Sequence, residues 1–230
     1  MPVKHRHNFS DMLTDKRLQC LMAFTPRCGV AADIGTDHGI LGCELLREGK
    51  CDTLWFTDIS AESLNKARRL AEKSGFEERA LFFTGDGAAV LPFPPDAAII
   101  AGMGGHTIIH ILDTGREKLK GTKLILGANT ALYELRYFLA QNGYAITDEA
   151  AVREAGKFYV VFRAEEGHMD LDEDALRIGP ELMKKTDTET MDYFRYRING
   201  ARIALERAGV SPNADTETLR KELERWQKLI

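Results

Sequence analysis

Two strand-like segments, 144–152 and 158–164, are separated only by Arg153-Glu154-Ala155-Gly156-Lys157. A parallel crossover needs about a dozen residues or more, so these two strands must be antiparallel neighbours. The chain before them alternates differently. Short apolar runs at 30–34, 53–57, 80–84, 97–101 and 123–126 are each separated by a helical pattern or a loop. Helices are expected at 40–47, 61–73, 106–112 and 132–141. Ser60 is placed to cap the second of these and Gly75 to end it, and Gly143 closes the fourth. Alternation of this kind means right-handed strand–helix–strand units and a parallel sheet covered on both faces. The expected fold class is therefore α/β: a doubly wound, Rossmann-like sheet that ends in an antiparallel β-hairpin. That ending is unusual for dinucleotide-binding domains.

A further helix is expected at 12–24, before the first strand, with Leu13, Leu18, Leu21, Met22 and Phe24 on one side. From about residue 168 the strand formers thin out and charges rise. Met191, Phe194, Ile198, Ala201, Leu205 and Ala208 step by three and four. After Gly209-Val210-Ser211-Pro212, Leu219, Leu223, Trp226 and Ile230 step likewise. Two such seams predict an antiparallel helical hairpin. The chain then divides into a main domain, 1–167, and a helical arm, 168–230. The arm is either a cap on the main domain or a grip for a large substrate.

Composition enters by exclusion. With 44% hydrophobic and 29% charged residues the chain can build a core. No apolar run approaches the roughly 20 residues that a bilayer requires. The basic start, Met1-Pro2-Val3-Lys4-His5-Arg6-His7, is not followed by a signal-like apolar stretch. A net charge of −4 disfavours a protein that coats polyanions, but leaves room for a local basic patch. Cys20, Cys28, Cys43 and Cys51 form no C-x-x-C pair. They read as reduced thiols of a cytoplasmic protein, with packing preferred over a zinc site between Cys28 and Cys51.

The residues with chemical content sit at predicted strand ends. Asp33-Ile34-Gly35-Thr36-Asp37-His38-Gly39 follows the first strand with G-x-x-x-G spacing, not G-x-G-x-x-G. Carboxylates at 33 and 37 would repel a pyrophosphate but suit a cationic ligand, such as the ammonium and sulfonium of S-adenosyl-L-methionine. Asp58 ends the second strand, where an acidic side chain can accept ribose hydroxyls. Gly85-Asp86-Gly87 ends the third, where a carboxylate can accept the amine of adenine. Ala101-Gly102-Met103-Gly104-Gly105 ends the fourth and reads as the floor of an acceptor pocket. Asn129 follows the fifth. Taken singly, each of these also reads as an ordinary turn, cap or solvated strand end. Together they mark one carboxyl edge of a parallel sheet, where ligands bind in such folds. His106 and His110 are one helical turn apart, but no third ligand supports a metal site.

With these residues in view, the chain resembles the bacterial family of tRNA (adenine-N1)-methyltransferases that modify position 22. The resemblance runs through Lys16-Arg17-Leu18, with Asp15 where the family has serine, and through Ala32 to His38. It continues at Lys73-Ser74-Gly75, Gly85-Asp86-Gly87, Ile100 to Gly105, His110-Ile111-Leu112 and Ile178-Gly179-Pro180. The family carries Gln-Pro-Asn where this chain has Gly127-Ala128-Asn129, so the acceptor side departs from the pattern.

The resemblance implies methyl transfer from S-adenosyl-L-methionine to tRNA, in a protein expected to be a monomer. Cofactor contacts are then expected from Asp33, Gly35, Thr36 and Gly39, from Asp58 and Ile59, and from Gly85, Asp86 and Gly87. Ala101, Gly102, Met103 and Gly104 complete that set. Asp37, His38 and Asn129 are the expected acceptor-side residues, and Lys16, Arg17 and Gly105 the expected substrate contacts. Lys4, Arg6, Arg47 and cations of the arm are further phosphate candidates, though a solvated surface charge is the plainer reading of each. Two alternatives stand beside this. One is an NAD-dependent oxidoreductase, which shares the doubly wound sheet and the acidic second strand end. The other is a non-catalytic module that binds cofactor or RNA.

Overall fold

The computed structural model describes residues 15–209 and 216–230. Leu13 of the first expected helix, Lys4, Arg6 and residues 210–212 lie outside them. Helix α1 (Lys16–Phe24) opens the described chain, and Asp15 caps it by accepting hydrogen bonds from the backbone N–H groups of Arg17 and Leu18. Serine and aspartate are both good N-caps, so the exchange at position 15 preserves that local function.

Strands β1 (Cys28–Ile34), β2 (Cys51–Asp58), β3 (Ala80–Thr84) and β4 (Ala97–Met103) alternate with helices α2 (Ile40–Arg47) and α3 (Ala61–Lys73). Helix α4 (Gly105–Thr114), β5 (Lys123–Ala128) and α5 (Leu132–Gln141) follow, then β6 (Tyr144–Glu154) and β7 (Lys157–Glu166). All seven strands form one sheet in the order β3-β2-β1-β4-β5-β7-β6. The first five pair in parallel, while β7 is antiparallel to both β5 and β6. The Ser60 cap is present, its hydroxyl accepting from the Ser63 N–H.

The hairpin is tighter than its five-residue separator suggested. Pairing continues to Glu154 and Lys157, leaving a two-residue turn of Ala155 and Gly156 at φ +48° and +79°. Two positive φ values give a turn whose twist matches that of the strands it joins. The left-handed backbone of Ala155 is the local cost of that match.

Alternate side chains of the buried strands serve opposite faces. Ile99 and Ile125 join Leu21, Leu45, Leu54 and Phe56 on one face. Ile100 and Leu126 join Ile34, Ile108 and Phe162 on the other. Helix α1 belongs to the first face through Leu21. The second face continues without a break into the C-terminal segment.

That segment contains α6 (Glu173–Ile178), α7 (Thr188–Ala208) and α8 (Thr216–Gln227). Trp226, near the end of α8, lies 5.8 Å in ring centroid from both Tyr193 and Phe194, near the start of α7. The two helices therefore run antiparallel. Phe194, Ile198 and Ala201 are buried as their spacing requires. Two positions depart from the expected seam. Tyr193 is also buried, because the inner half of α7 meets the main sheet as well as α8. Ile230 lies beyond the end of α8 and is exposed. No helix among the described residues is long and apolar enough to cross a membrane.

Candidate active site

The β1–α2 turn is built around a buried carboxylate. Asp33 is only 8% exposed at the end of β1. Burial pushes its pKa up to about 6, against the opposing hydrogen bond from the Thr36 hydroxyl and with a smaller push from Asp58. Among the described residues none of the groups acting on it is a cation. The Thr36 hydroxyl oxygen in turn accepts the Gly39 N–H at 3.0 Å, which closes the turn. Gly35 has φ +80°, and its N–H donates to the Thr57 carbonyl of β2 at 2.8 Å. A β-carbon at Gly35 would stand 2.5 Å from the Met103 methyl group. The turn therefore needs glycine for both its backbone and its space.

A cavity of about 310 Å³ opens beside this turn. Its sheet side consists of Asp33, Gly35, Thr36, Ala101 and Gly102, with Asp37, His38 and Gly39 along the rim. Asp37 and His38 face solvent as a pair, Oδ2 to Nδ1 at 2.7 Å. The opposite wall is α1, through Asp15, Arg17, Leu18 and Leu21. On the sequence, Leu18 and Leu21 mark only the apolar side of a helix. Their spacing carries no sign that the same side also closes a cavity. Arg17 lies inside this wall with its guanidinium 5.3 Å from the Tyr159 ring centroid.

Further along the same edge, Asp58 Oδ1 accepts the Ser60 N–H at 2.7 Å. Ile59 between them is 78% exposed, the most exposed large apolar side chain described. Asp86 follows β3, and its Oδ2 lies 3.4 Å from His110 Nε2. Gly85 and Gly87 pack against Val90 and Ile111.

The glycines after β4 divide their work. Gly102 lines the cavity. Gly104 meets Thr130, and Gly105 is buried against the 130–131 backbone, its N–H donating to the Thr130 carbonyl at 2.9 Å. Asn129 is exposed, its N–H donates to the Met103 carbonyl, and it does not line the cavity. Gly127 faces Ala101 across the β4–β5 pair. A β-carbon there would stand 2.9 Å from that of Ala101.

The cations expected near substrate separate in the same way. Arg17 is in the cavity, whereas Lys16 Nζ pairs with Glu189 of α7 at 3.0 Å. Arg47 pairs with Glu44 at the end of α2, on the opposite edge of the sheet. Cys28 and Cys51 are register neighbours on β1 and β2, with thiols pushed up by burial to about 11 and 12. Among the described residues no group of three His, Cys, Asp or Glu side chains could hold a metal ion.

A parallel sheet that ends in this antiparallel hairpin, with carboxylates along its carboxyl edge, defines a class I methyltransferase fold. The family model described as TrmK, tRNA (adenine(22)-N(1))-methyltransferase, matches residues 31–228, and the chain belongs to that family. It is 33% identical to the tRNA (adenine(22)-N(1))-methyltransferase of Bacillus subtilis, over 93% of this chain and 92% of that one. The crystal structure of the B. subtilis m1A22 tRNA methyltransferase superimposes with TM-score 0.83 at 30% identity, covering 94% and 98% of the two chains. A Streptococcus pneumoniae structure in complex with S-adenosyl-L-methionine gives TM-score 0.84 at 27% identity, covering 93% and 98%. Membership in this family displaces the oxidoreductase alternative.

Proposed function

We propose that this protein transfers a methyl group from S-adenosyl-L-methionine to N1 of adenine 22 in tRNA. The observation that carries the reading is the buried Asp33 at the head of a cavity beside the β1–α2 turn, with no cation among the described residues acting on its charge. A carboxylate in that state suits a ligand that brings its own positive charge.

The residues fit such a molecule. Asp33 would receive the ammonium group, with Gly35 and Thr36 forming the bed of the amino-acid chain. Asp58 has a carboxylate for the two ribose hydroxyls, and Ile59 offers the adenine an apolar face that the folded chain leaves uncovered. Asp86 would accept the exocyclic amine of that base. Gly85, Gly87 and Gly39 shape the surrounding turns, and Ala101 to Gly104 border the methyl group.

The cofactor, when bound, supplies an electrophilic methyl on a positively charged sulfur. Acceptance requires little acid–base chemistry, because N1 of an unpaired adenine has a free lone pair. The protein's contribution is alignment of that lone pair with the methyl group. Asp37 and His38, exposed at the mouth, are the side chains offered to the acceptor base, with Asn129 at the end of β5 on the far side. The carboxylate rim keeps a favourable field as positive charge passes from sulfur to adenine. N1 lies on the pairing edge, so the nucleotide must leave its stack to enter.

The reading makes Lys16 and the cations of the 168–230 arm outlying contacts to tRNA, in a cytoplasmic monomer. Incubation with methyl-labelled cofactor and tRNA transcripts tests it. Label should appear as 1-methyladenosine at position 22 and vanish when that adenine is replaced. Thermal stabilisation by S-adenosylhomocysteine without any label transfer would favour a binding module instead.

A further inference from the structure

We propose that Phe158 and Tyr196, with Arg153 beside them, form a stacking platform for an unpaired base of the tRNA other than the one that is methylated. The inference rests on the tRNA reading above and deepens it.

The platform stands at the edge of the sheet that carries the cavity. Strand β7 is antiparallel to β5, so its first residues lie at the carboxyl end of β5. Tyr159 faces Arg17 in the cavity wall, and Phe158, its neighbour on the strand, faces the other side of the sheet. There Phe158 meets Tyr193 and Tyr196 of α7, with ring centroids 5.5 and 5.1 Å away. Tyr193 is buried, whereas Tyr196 is 54% exposed. The Arg153 guanidinium lies 5.8 Å from the Phe158 centroid.

The exposed surface continues along α7. Tyr196, Gly200, Ile203 and Arg207 step by four, three and four on the side away from Phe194, Ile198 and Ala201. Ile203 is exposed, and nothing lies within 4 Å of the point where a β-carbon of Gly200 would be. A glycine inside a helix costs stability. No neighbour among the described residues calls for this one, whereas a ligand lying along the helix does.

Charge identifies the occupant. Arg195 and Arg197 of α7 are paired with Asp192 and Glu222. Arg153 and Lys157 at the hairpin end and Arg207 at the far end form no ion pair among the described residues. Glu154 of the hairpin is turned instead to the Lys16 N–H. Exposed rings bordered by such cations suit looped or single-stranded nucleotides, whose bases stack while their phosphates meet the charges.

The test uses the full-length protein and direct binding of tRNA transcript, with S-adenosylhomocysteine affinity as the control. Tyr196→Ala should weaken tRNA binding, and raise KM for tRNA, by about tenfold. Its S-adenosylhomocysteine affinity, its melting temperature and the salt dependence of its tRNA binding should stay as in wild type, since a stacked ring releases no counter-ions. Tyr196→Trp should bind tRNA at least as tightly as wild type. Arg153→Gln should also weaken binding and, unlike Tyr196→Ala, should flatten the salt dependence. A Tyr196→Ala variant with wild-type tRNA affinity overturns the proposal and leaves the stripe to a protein partner. So does a Tyr196→Trp variant as weak as Tyr196→Ala, or a Tyr196→Ala variant that melts lower and loses S-adenosylhomocysteine affinity in step, which makes the ring part of the fold. Wild-type protein that binds tRNA without methylating it overturns the methyl-transfer reading and leaves the platform to stand or fall by these variants. Wild-type protein that binds no tRNA overturns both.

Discussion

At the joint between the sheet and the C-terminal segment, Glu149 of β6 is fully buried and both of its oxygens are engaged. Oε1 accepts from Arg136 Nε at 2.8 Å, and Oε2 accepts the N–H groups of Glu181 and Leu182. Arg136 also donates to the Leu176 carbonyl and lies 5.2 Å from the Phe162 ring centroid. At the carboxyl edge of the same sheet, Asp33 is almost as deeply buried, yet among the described residues a threonine hydroxyl is the only side chain that hydrogen-bonds it. A buried charge that is paired on every side holds a structure together. A buried charge without a counter-ion is costly for folding and useful for binding. The chain resolves the two carboxylates in opposite ways because one ties elements of the fold together and the other faces a cavity.

The sharpest way to break this contrast is to remove one partner at the joint. Arg136→Met leaves Glu149 buried and unpaired, with an expected loss of about 3–5 kcal/mol. That corresponds to a fall in melting temperature on the order of 10 °C. The double variant Arg136→Met with Glu149→Met should recover most of it. A single variant that melts like wild type would show that the pair does not hold the joint.

The opposite sign is expected at the edge. The native pKa of Asp33, about 6, lies above its ordinary value of 3.8, so the native state binds the extra proton between those values. Stability from this group is full below pH 4 and is lost as pH rises through 6, about 3 kcal/mol in all. Asp33→Asn should therefore stabilise the ligand-free protein by a similar amount at pH 7. The same variant should bind S-adenosylhomocysteine at least about tenfold more weakly. Thermal unfolding at pH 4 and pH 7, with titration calorimetry, checks both. In wild type, affinity should rise between pH 5 and pH 7 as the carboxylate ionises. A variant both less stable and unimpaired in binding would reverse the comparison.

Smaller effects refine it. Asp58→Ala should weaken S-adenosylhomocysteine binding by roughly tenfold while moving stability by about 1 kcal/mol or less. Ile59→Ser should leave the melting temperature unchanged, since this side chain is 78% exposed, and should weaken binding only a fewfold. A clear loss of stability in the second variant would mean that Ile59 serves the fold.

Sequence patterns reached far into the fold for a specific reason. The antiparallel hairpin was legible because five residues cannot support a crossover, whatever their identity. The α3 boundaries, capped by Ser60 and followed by Gly75, were legible because capping is local chemistry. The apolar runs stop short of the strand ends at Cys28, Cys51 and Met103, where pairing with neighbours extends β structure past them. The buried Arg136–Glu149 pair was not legible at all. Its residues stand 13 apart, and each looks like a solvated charge until α6 and the 3-10 turn at Leu182–Lys184 cover them.

The candidate site divides in the same way. Asp33, Gly35, Asp58 and Asp86 were legible because the carboxyl ends of parallel strands share one edge, and alternation alone places them there. The α1 wall was not legible as a wall, because a helix pattern says which side is apolar and not what that side faces. Gly105 has the look of a pocket residue and is pressed against the 130–131 backbone, since empty space and close packing both call for glycine. What the sequence determined by itself was everything set by short-range rules: element type, strand direction, caps and the shared edge of acidic strand ends. What only the tertiary structure decided was which charges were stripped of water and which of those found partners, because burial depends on residues distant along the chain.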